Sequence, residues 1–234
     1  MHKDVVIVGA GISGIAAGYN LKKSCPNKSF SILEGRSDIG GTWDLFKYPG
    51  VRSDSDMHTL GYRFKPWIHD KSIADGPSIL EYINETIDEN DLRKNILLNH
   101  KVSSANWNSD KSIWELKIQE HNQSRNMTCN FLFLCGGYYS YTKPHMPSFK
   151  NQDKFRGQII HPQFWTDKID YEHKKVAEEL CELGNKELQD DLQKYRKTLI
   201  LTSPNWRRIY SGLIRSIDDA REDQLGDTPW FIRE

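Results

Sequence analysis

No apolar run in these 234 residues approaches the length of about 20 needed to span a bilayer. A transmembrane helix is therefore not expected. Neither sign of charge is in excess, since 32 Lys plus Arg balance 32 Asp plus Glu. That balance provides no basic field for nucleic acid and no acidic tail. Cysteine is scarce. Cys25, Cys129, Cys135 and Cys181 show no CxxC or other ligand spacing, so no metal site is expected and reduced thiols are the simplest reading. Hydrophobic residues make up only 37%, which with a mean hydropathy of -0.69 is low for a compact globular chain, and with no long apolar run the chain is expected to be soluble. The first apolar strand begins after three residues, which leaves no room for a signal peptide and makes the cytoplasm the expected location. The sequons at Asn27, Asn84, Asn122 and Asn126 are accordingly read as accidental. There is no internal repeat and no low-complexity tract.

What is present is most informative at the N-terminus, where Val5–Val8 reads as a buried parallel strand followed by Gly9-Ala10-Gly11-Ile12-Ser13-Gly14. Gly9, Gly11, Ser13 and Gly14 give a tight turn with bare backbone able to approach a pyrophosphate at the start of the next helix. Twenty residues after Gly14, Glu34 ends the apolar segment Phe30–Leu33, at the spacing where a carboxylate accepts hydrogen bonds from a ribose. Strand, helix pattern and acid together distinguish a dinucleotide site from an ordinary Gly-rich turn.

Further along, residues 35–76 lack periodicity and are rich in Gly, Pro, Asp and aromatics, as in long functional loops. Pro77 opens a helix with Leu80, Ile83 and Ile87 on one face. Strands are expected at 96–99, 102–107, 113–119 and 127–135, separated by polar turn clusters. The fold class is therefore α/β, a Rossmann-like parallel sheet with a small antiparallel meander. The very apolar run Phe131–Cys135, ending in Gly136-Gly137, suits an FAD domain better than an NAD domain. From Val176 the texture changes to two amphipathic stripes, one through Leu180, Leu183, Leu188, Leu192 and Leu199, the other opening at Ser203-Pro204 and carrying Trp206, Ile209, Leu213 and Ile217. These predict a C-terminal helical hairpin over 177–234 that needs a partner surface, either the flank of the first domain or a second chain.

Around Gly40-Gly41-Thr42-Trp43 and Tyr48-Pro49-Gly50-Val51-Arg52-Ser53-Asp54 the sequence resembles the Baeyer–Villiger and flavin-containing monooxygenases, close to the branch that includes ethionamide-activating enzymes. The resemblance continues through Gly61–Trp67, Ile73–Pro77 and Phe131–Tyr139. It ends in Phe155-Arg156-Gly157 to His161 and Trp165, which matches the family's FxGxxxHxxxW fingerprint, and it covers residues 1 to about 176. It implies an FAD-binding domain over 1–176 in which Gly9, Gly11, Ser13 and Gly14 hold the pyrophosphate and Glu34 the ribose. Thr42, Trp43, Asp44 and Leu45 would line the flavin half, and Val102 would meet the adenine through its backbone. Arg52 and Asp54 would sit near the isoalloxazine. For Asp54 the bland alternatives are a helix cap or a loop carboxylate paired to Arg52. His161 could act as a catalytic base, or serve as a hydrogen-bonded strut at a domain linker. Trp43, Trp67 and Trp165 are expected mainly to pack.

The resemblance also implies NADPH as reductant, O2 as co-substrate, and a ketone, thioether or amine as the group oxygenated. Here the sequence departs from the family. After Lys174-Lys175-Val176 comes Ala177-Glu178-Glu179 rather than a second strand and GxGxxG, and every later glycine is isolated. A non-catalytic FAD-binding or interaction module is therefore the alternative reading. A dehydrogenase binding NAD at Gly9–Gly14 is disfavoured by Gly-Gly-Thr-Trp and the meander.

Overall fold

A computed structural model describes residues 1–121, 123–146 and 158–170. The predicted hairpin over 177–234 lies outside the described residues. The chain divides after Thr166, and the first unit, Met1–Thr166, carries the fold described below.

Among the described residues six strands form one sheet: β1 (His2–Val8), β2 (Phe30–Leu33), β3 (Ile96–Leu97), β4 (His100–Asn108), β5 (Ile113–Glu120) and β6 (Gln123–Leu134). Their order is β3-β2-β1-β6-β5-β4. β3, β2, β1 and β6 run parallel, while β6, β5 and β4 form an antiparallel meander. This is the expected α/β architecture. β1 has β2 on one side and β6 on the other, so the strand order reverses beside it. In open sheets of this kind ligands bind outside the carboxyl end of the strands at such a reversal.

Helix α1 (Ile12–Ser24) returns over the sheet. Its Ile15 joins Val5, Ile7, Phe30 and Ile32 in a core completed by Ile79, Ile83 and Ile87 of α4 (Gly76–Glu89). Those three isoleucines recur every fourth residue, as the helical period requires. The other sheet face buries Val6, Leu33, Leu116, Ile118, Met127 and Cys129. Between β2 and α4 lie two single-turn helices, α2 (Thr42–Leu45) and α3 (Met57–Leu60).

The segment around α3 is tied down by aromatic rings. Phe64 stacks on Tyr19 of α1 at 3.5 Å, and Tyr62 stacks on Phe64 at 4.9 Å and on Tyr82 at 5.4 Å. The Tyr62 hydroxyl donates to the Ile12 carbonyl at 2.8 Å, and Trp67 packs edge-on to Tyr82. Burial pushes the Tyr62 hydroxyl far above the usual tyrosine range.

β6 differs from expectation. Leu132 packs with the second core, but Phe131 is 66% and Leu134 77% exposed. Phe131 and Phe133 lie in register with the buried Val5 and Ile7. α1 crosses the β1–β2 side, and no described element covers that face beside β6.

Asp75 caps α4, accepting from the Ser78 N–H at 2.9 Å, and that bond, with the Ser78 hydroxyl, holds its carboxyl below the usual carboxylate range. A depressed folded-state value means the contribution is fully present above the ordinary carboxylate value and is lost as pH falls from there through the lowered folded-state value. Asp75→Ala should destabilise the unit by about 1 kcal/mol at pH 7. The deficit should shrink below about pH 4. Urea midpoints at pH 7 and pH 3.5 check this, and an equal deficit at both would contradict the capping role.

Candidate cofactor site

The carboxyl ends of β1, β2 and β6 converge on the glycine loop. The Gly9 N–H donates to the Leu33 carbonyl at 2.8 Å, and the Cys135 N–H to the Val8 carbonyl at 2.8 Å. Gly9 has φ +104, and a Cβ there would stand 2.4 Å from the Cys135 carbonyl oxygen. Gly14, in the first turn of α1, allows no side chain either, because its Cβ would meet the Gly9 carbonyl oxygen at 1.9 Å. Loop, helix start and β6 are thus in backbone contact, which is what this glycine spacing predicts.

The helix start is prepared for an anion. Gly11 provides no side-chain cap, and the first turn contains no acidic residue. Its N–H groups and dipole therefore face outward without compensation from a side chain. Ser13 is exposed in that turn. Facing it is Gly41, whose Cβ would lie 3.1 Å from the Gly11 Cα. The two glycines let the N-terminus of α1 and that of α2, with Thr42, Trp43, Asp44 and Leu45, approach each other closely.

Glu34 sits at the rim of this loop, only 3% exposed. One carboxylate oxygen accepts from the Ala10 N–H at 2.8 Å and the other from the Arg36 N–H at 3.0 Å. Each oxygen keeps a second acceptor position, so the carboxylate is oriented by the loop and still able to receive two hydroxyls. Beside it, Lys101 of β4 lies within 3.3 Å of where a Gly35 Cβ would be, and the next residue is Val102. A bulge between Val102 and Ser104 interrupts the β4–β5 ladder there. Such an irregularity leaves backbone groups free of the ladder.

Arg36, which the sequence does not single out, bridges the site. Its guanidinium donates to the Gly41 carbonyl at 3.2 Å and to the Asp44 carboxylate at 2.6 Å. Lys47 takes the other Asp44 oxygen at 2.9 Å. The Asp44 side chain is therefore committed to an ion-pair network with Arg36 and Lys47. The only sequence signal for Arg36 is its position two residues after Glu34.

Arg52 and Asp54 are both exposed, flanking Ser53, which is buried and bonded to Ala74. Neither bland alternative for Asp54 is realised. Asp56, not Asp54, caps α3, and Asp54 forms no ion pair with Arg52. The Asp54 charge bears instead on Tyr139, whose hydroxyl is pushed above the usual tyrosine range by burial first, then by Tyr138 and Asp54. Tyr139 in turn meets the Phe46 ring at 5.0 Å. His161 caps the 3-10 turn Pro162–Phe164. Its Nδ1 accepts from the Gln163 N–H at 3.1 Å and its Nε2 lies 3.2 Å from the His145 carbonyl. That pairing requires a neutral ring with the proton on Nε2, and both nitrogens are used as a strut would use them. Trp67 is buried in the aromatic stack, and Trp43 packs against the first core.

Comparisons with known proteins agree with this geometry. Residues 7–69 match the NAD(P)-binding Rossmann-like domain, and residues 62–206 match the flavin-binding monooxygenase-like model, running past the end of the resemblance seen in the sequence. The chain is 54% identical over 176 residues to the FAD-containing monooxygenase EthA of Mycolicibacterium smegmatis, covering 75% of this chain and 36% of that protein. It is 49% identical over 175 residues to the probable FAD-binding monooxygenase AlmA of an Acinetobacter species, covering 74% and 35%. Among solved structures it is similar to an oxidised steroid monooxygenase bound to NADP, with 29% identity, a TM-score of 0.59 and coverage of 71% of this chain and 32% of that one. A second is the OTEMO complex with FAD and NADP, with 30% identity, a TM-score of 0.58 and coverage of 70% and 31%. The chain spans about a third of the length of the relatives it matches. No helix among the described residues is long and apolar enough to cross a membrane. With the 62–206 match taking in more than half of its residues, the chain belongs to the flavin-binding monooxygenase-like family.

Proposed function

We propose that residues 1–176 bind FAD as the flavin-binding part of a cytoplasmic, NADPH-dependent monooxygenase acting on a ketone, thioether or amine. One observation carries the reading. An uncapped helix start lies against the Gly11–Gly41 approach, with the buried Glu34 carboxylate on the same loop. A side chain at Gly41 would press on the Gly11 backbone at 3.1 Å, and the bare helix start with the buried Glu34 carboxylate on the same loop fits the group. Bound FAD supplies two-electron redox chemistry and the activation of O2. The N–H groups of Gly11 to Gly14 bind the diphosphate, and Glu34 orients the ribose. Val102 meets the adenine, while Thr42, Trp43 and Leu45 flank the flavin half with Asp44 held in place by Arg36. Arg52 and Asp54, both without an ion-pair partner among the described residues, provide charge at the flavin end, where they bear on an incoming nicotinamide. His161 holds backbone.

The visible spectrum of the purified protein with and without added FAD tests this reading. A bound-flavin spectrum is expected. Tight NADPH binding at this site with no measurable FAD affinity would overturn it.

A second reading, a flavin-binding module without turnover, is favoured by the lack of any glycine pair after Gly137 in these 234 residues. Hydride transfer needs the nicotinamide in near-attack geometry, and positioning supplies roughly 7 to 11 kcal/mol of such barriers. Anaerobic mixing of the FAD-loaded 234-residue chain with NADPH should therefore bleach the flavin band orders of magnitude more slowly than dithionite does. Rapid stoichiometric bleaching with oxygenation of a ketone or thioether would reject the module reading.

A further inference from the structure

The segment after β6 makes contacts that neither the glycine motif nor the fingerprint explains. Tyr139 packs against Phe46, and Tyr138 lies on Tyr139 with ring centres 4.4 Å apart. Two residues on, the Tyr141 ring faces the Arg36 guanidinium at 5.4 Å. Burial first, then the charges of Glu34 and Asp44, raise the Tyr141 hydroxyl above the usual range against the pull of Arg36. One short stretch therefore contacts both Arg36, two residues after Glu34, and Phe46, on the side of the site that carries Asp54. From behind, the Gln163 side-chain amide donates to the Ser140 carbonyl at 2.9 Å and to the Tyr141 carbonyl at 3.2 Å. The His161 strut reaches the His145 carbonyl farther along the same stretch.

We propose that residues 138–146 form an aromatic strap across the cofactor cleft, and that Gln163 is a positioning residue that holds the strap closed and so sets how long FAD is retained. This rests on the FAD reading above. Two backbone carbonyls on one donor group fix the strap where the tyrosines project, whereas an exposed loop without that anchor would lose the contact at the cost of only two hydrogen bonds. The fingerprint segment then acts on the cofactor through the strap, without touching it.

Two measurements on the 234-residue chain test this. Gln163→Leu removes the donor, while Gln163→Lys keeps one. In protein without FAD, chymotrypsin cleavage after Tyr138, Tyr139 and Tyr141 should rise about tenfold in Gln163→Leu and return toward wild type in Gln163→Lys. With FAD bound, Gln163→Leu should speed flavin release about tenfold and increase iodide quenching of flavin fluorescence. Tyr141→Ala should do the same, and the double variant should add little to either. A lower melting temperature with unchanged iodide access would make Gln163 merely structural and overturn the proposal, as would additive effects. Wild-type protein that fails to bind FAD while its cleavage still responds to Gln163 would refute the FAD reading and, with it, the strap's role in retention. FAD binding with release unchanged by Gln163→Leu would refute the strap alone.

Discussion

Gly14→Ala is expected to cost the N-terminal unit about 3 kcal/mol or more and to reduce FAD binding below detection. Its Cβ would stand 1.9 Å from the Gly9 carbonyl oxygen, a backbone atom that cannot rotate away. The helix must then lift from the loop. Overpacking of this sort costs about 1 to 3 kcal/mol, occasionally more, and a rigid backbone neighbour puts it at the upper end. Against a typical total of about 5 to 15 kcal/mol the loss is large. Gly136→Ala is the control, since nothing lies within 4 Å of its Cβ position. It should stay within about 0.5 kcal/mol of wild type. Urea unfolding followed by FAD titration compares them, and a wild-type midpoint for Gly14→Ala would mean that α1 does not bear on the loop as described.

Glu34→Ala should produce two separable losses. Without FAD, the Ala10 and Arg36 N–H groups lose their shared acceptor at a nearly buried position. Each stranded donor costs about 1 to 3 kcal/mol unless water reaches it. With FAD, the missing charge-assisted pair of ribose hydrogen bonds should weaken affinity a further ten- to a hundredfold, roughly 1.5 to 3 kcal/mol. Glu34→Gln should recover little, because its NH2 group would face one of the two donors. Stability of the FAD-free protein unchanged by Glu34→Ala would contradict the anchoring. Unchanged FAD affinity would contradict the ribose role.

Much of this architecture was legible in the residues. Val5–Val8 and Phe30–Leu33 are short, apolar and bounded by turn signals, and the meander alternates between recognisable polar turns. The glycine loop was readable because its requirement is local, a backbone too crowded for any Cβ. What escaped depends on contacts between residues far apart in sequence. The aromatic stack of Tyr19, Tyr62, Phe64 and Tyr82 has no period, since its rings come from two helices and a loop. The anchoring of Ala10 by Glu34 exists only once β1 and β2 are paired. Arg36 looks like any surface arginine until Asp44 and Gly41 are brought beside it. Phe131 and Phe133 illustrate the reverse error, because an apolar run shows that a strand prefers burial but not which element covers it.

The position of β1 also sets an order of events in time. Its partner on one side, β2, follows within about thirty residues, but His2 and Thr128 meet across a separation of 126. Closing a loop of that length costs roughly 4 kcal/mol of chain entropy, which nothing recovers until β6 is in place. Folding should therefore be governed by this long-range pairing rather than by the β1–α1–β2 unit, and should be slow for a chain of this size. During synthesis, the glycine loop stays half-built until β6 emerges, because the Cys135 backbone that closes over Gly9 comes from its end. Cofactor capture would then follow β6 formation, with the loop competent only after β6 is paired.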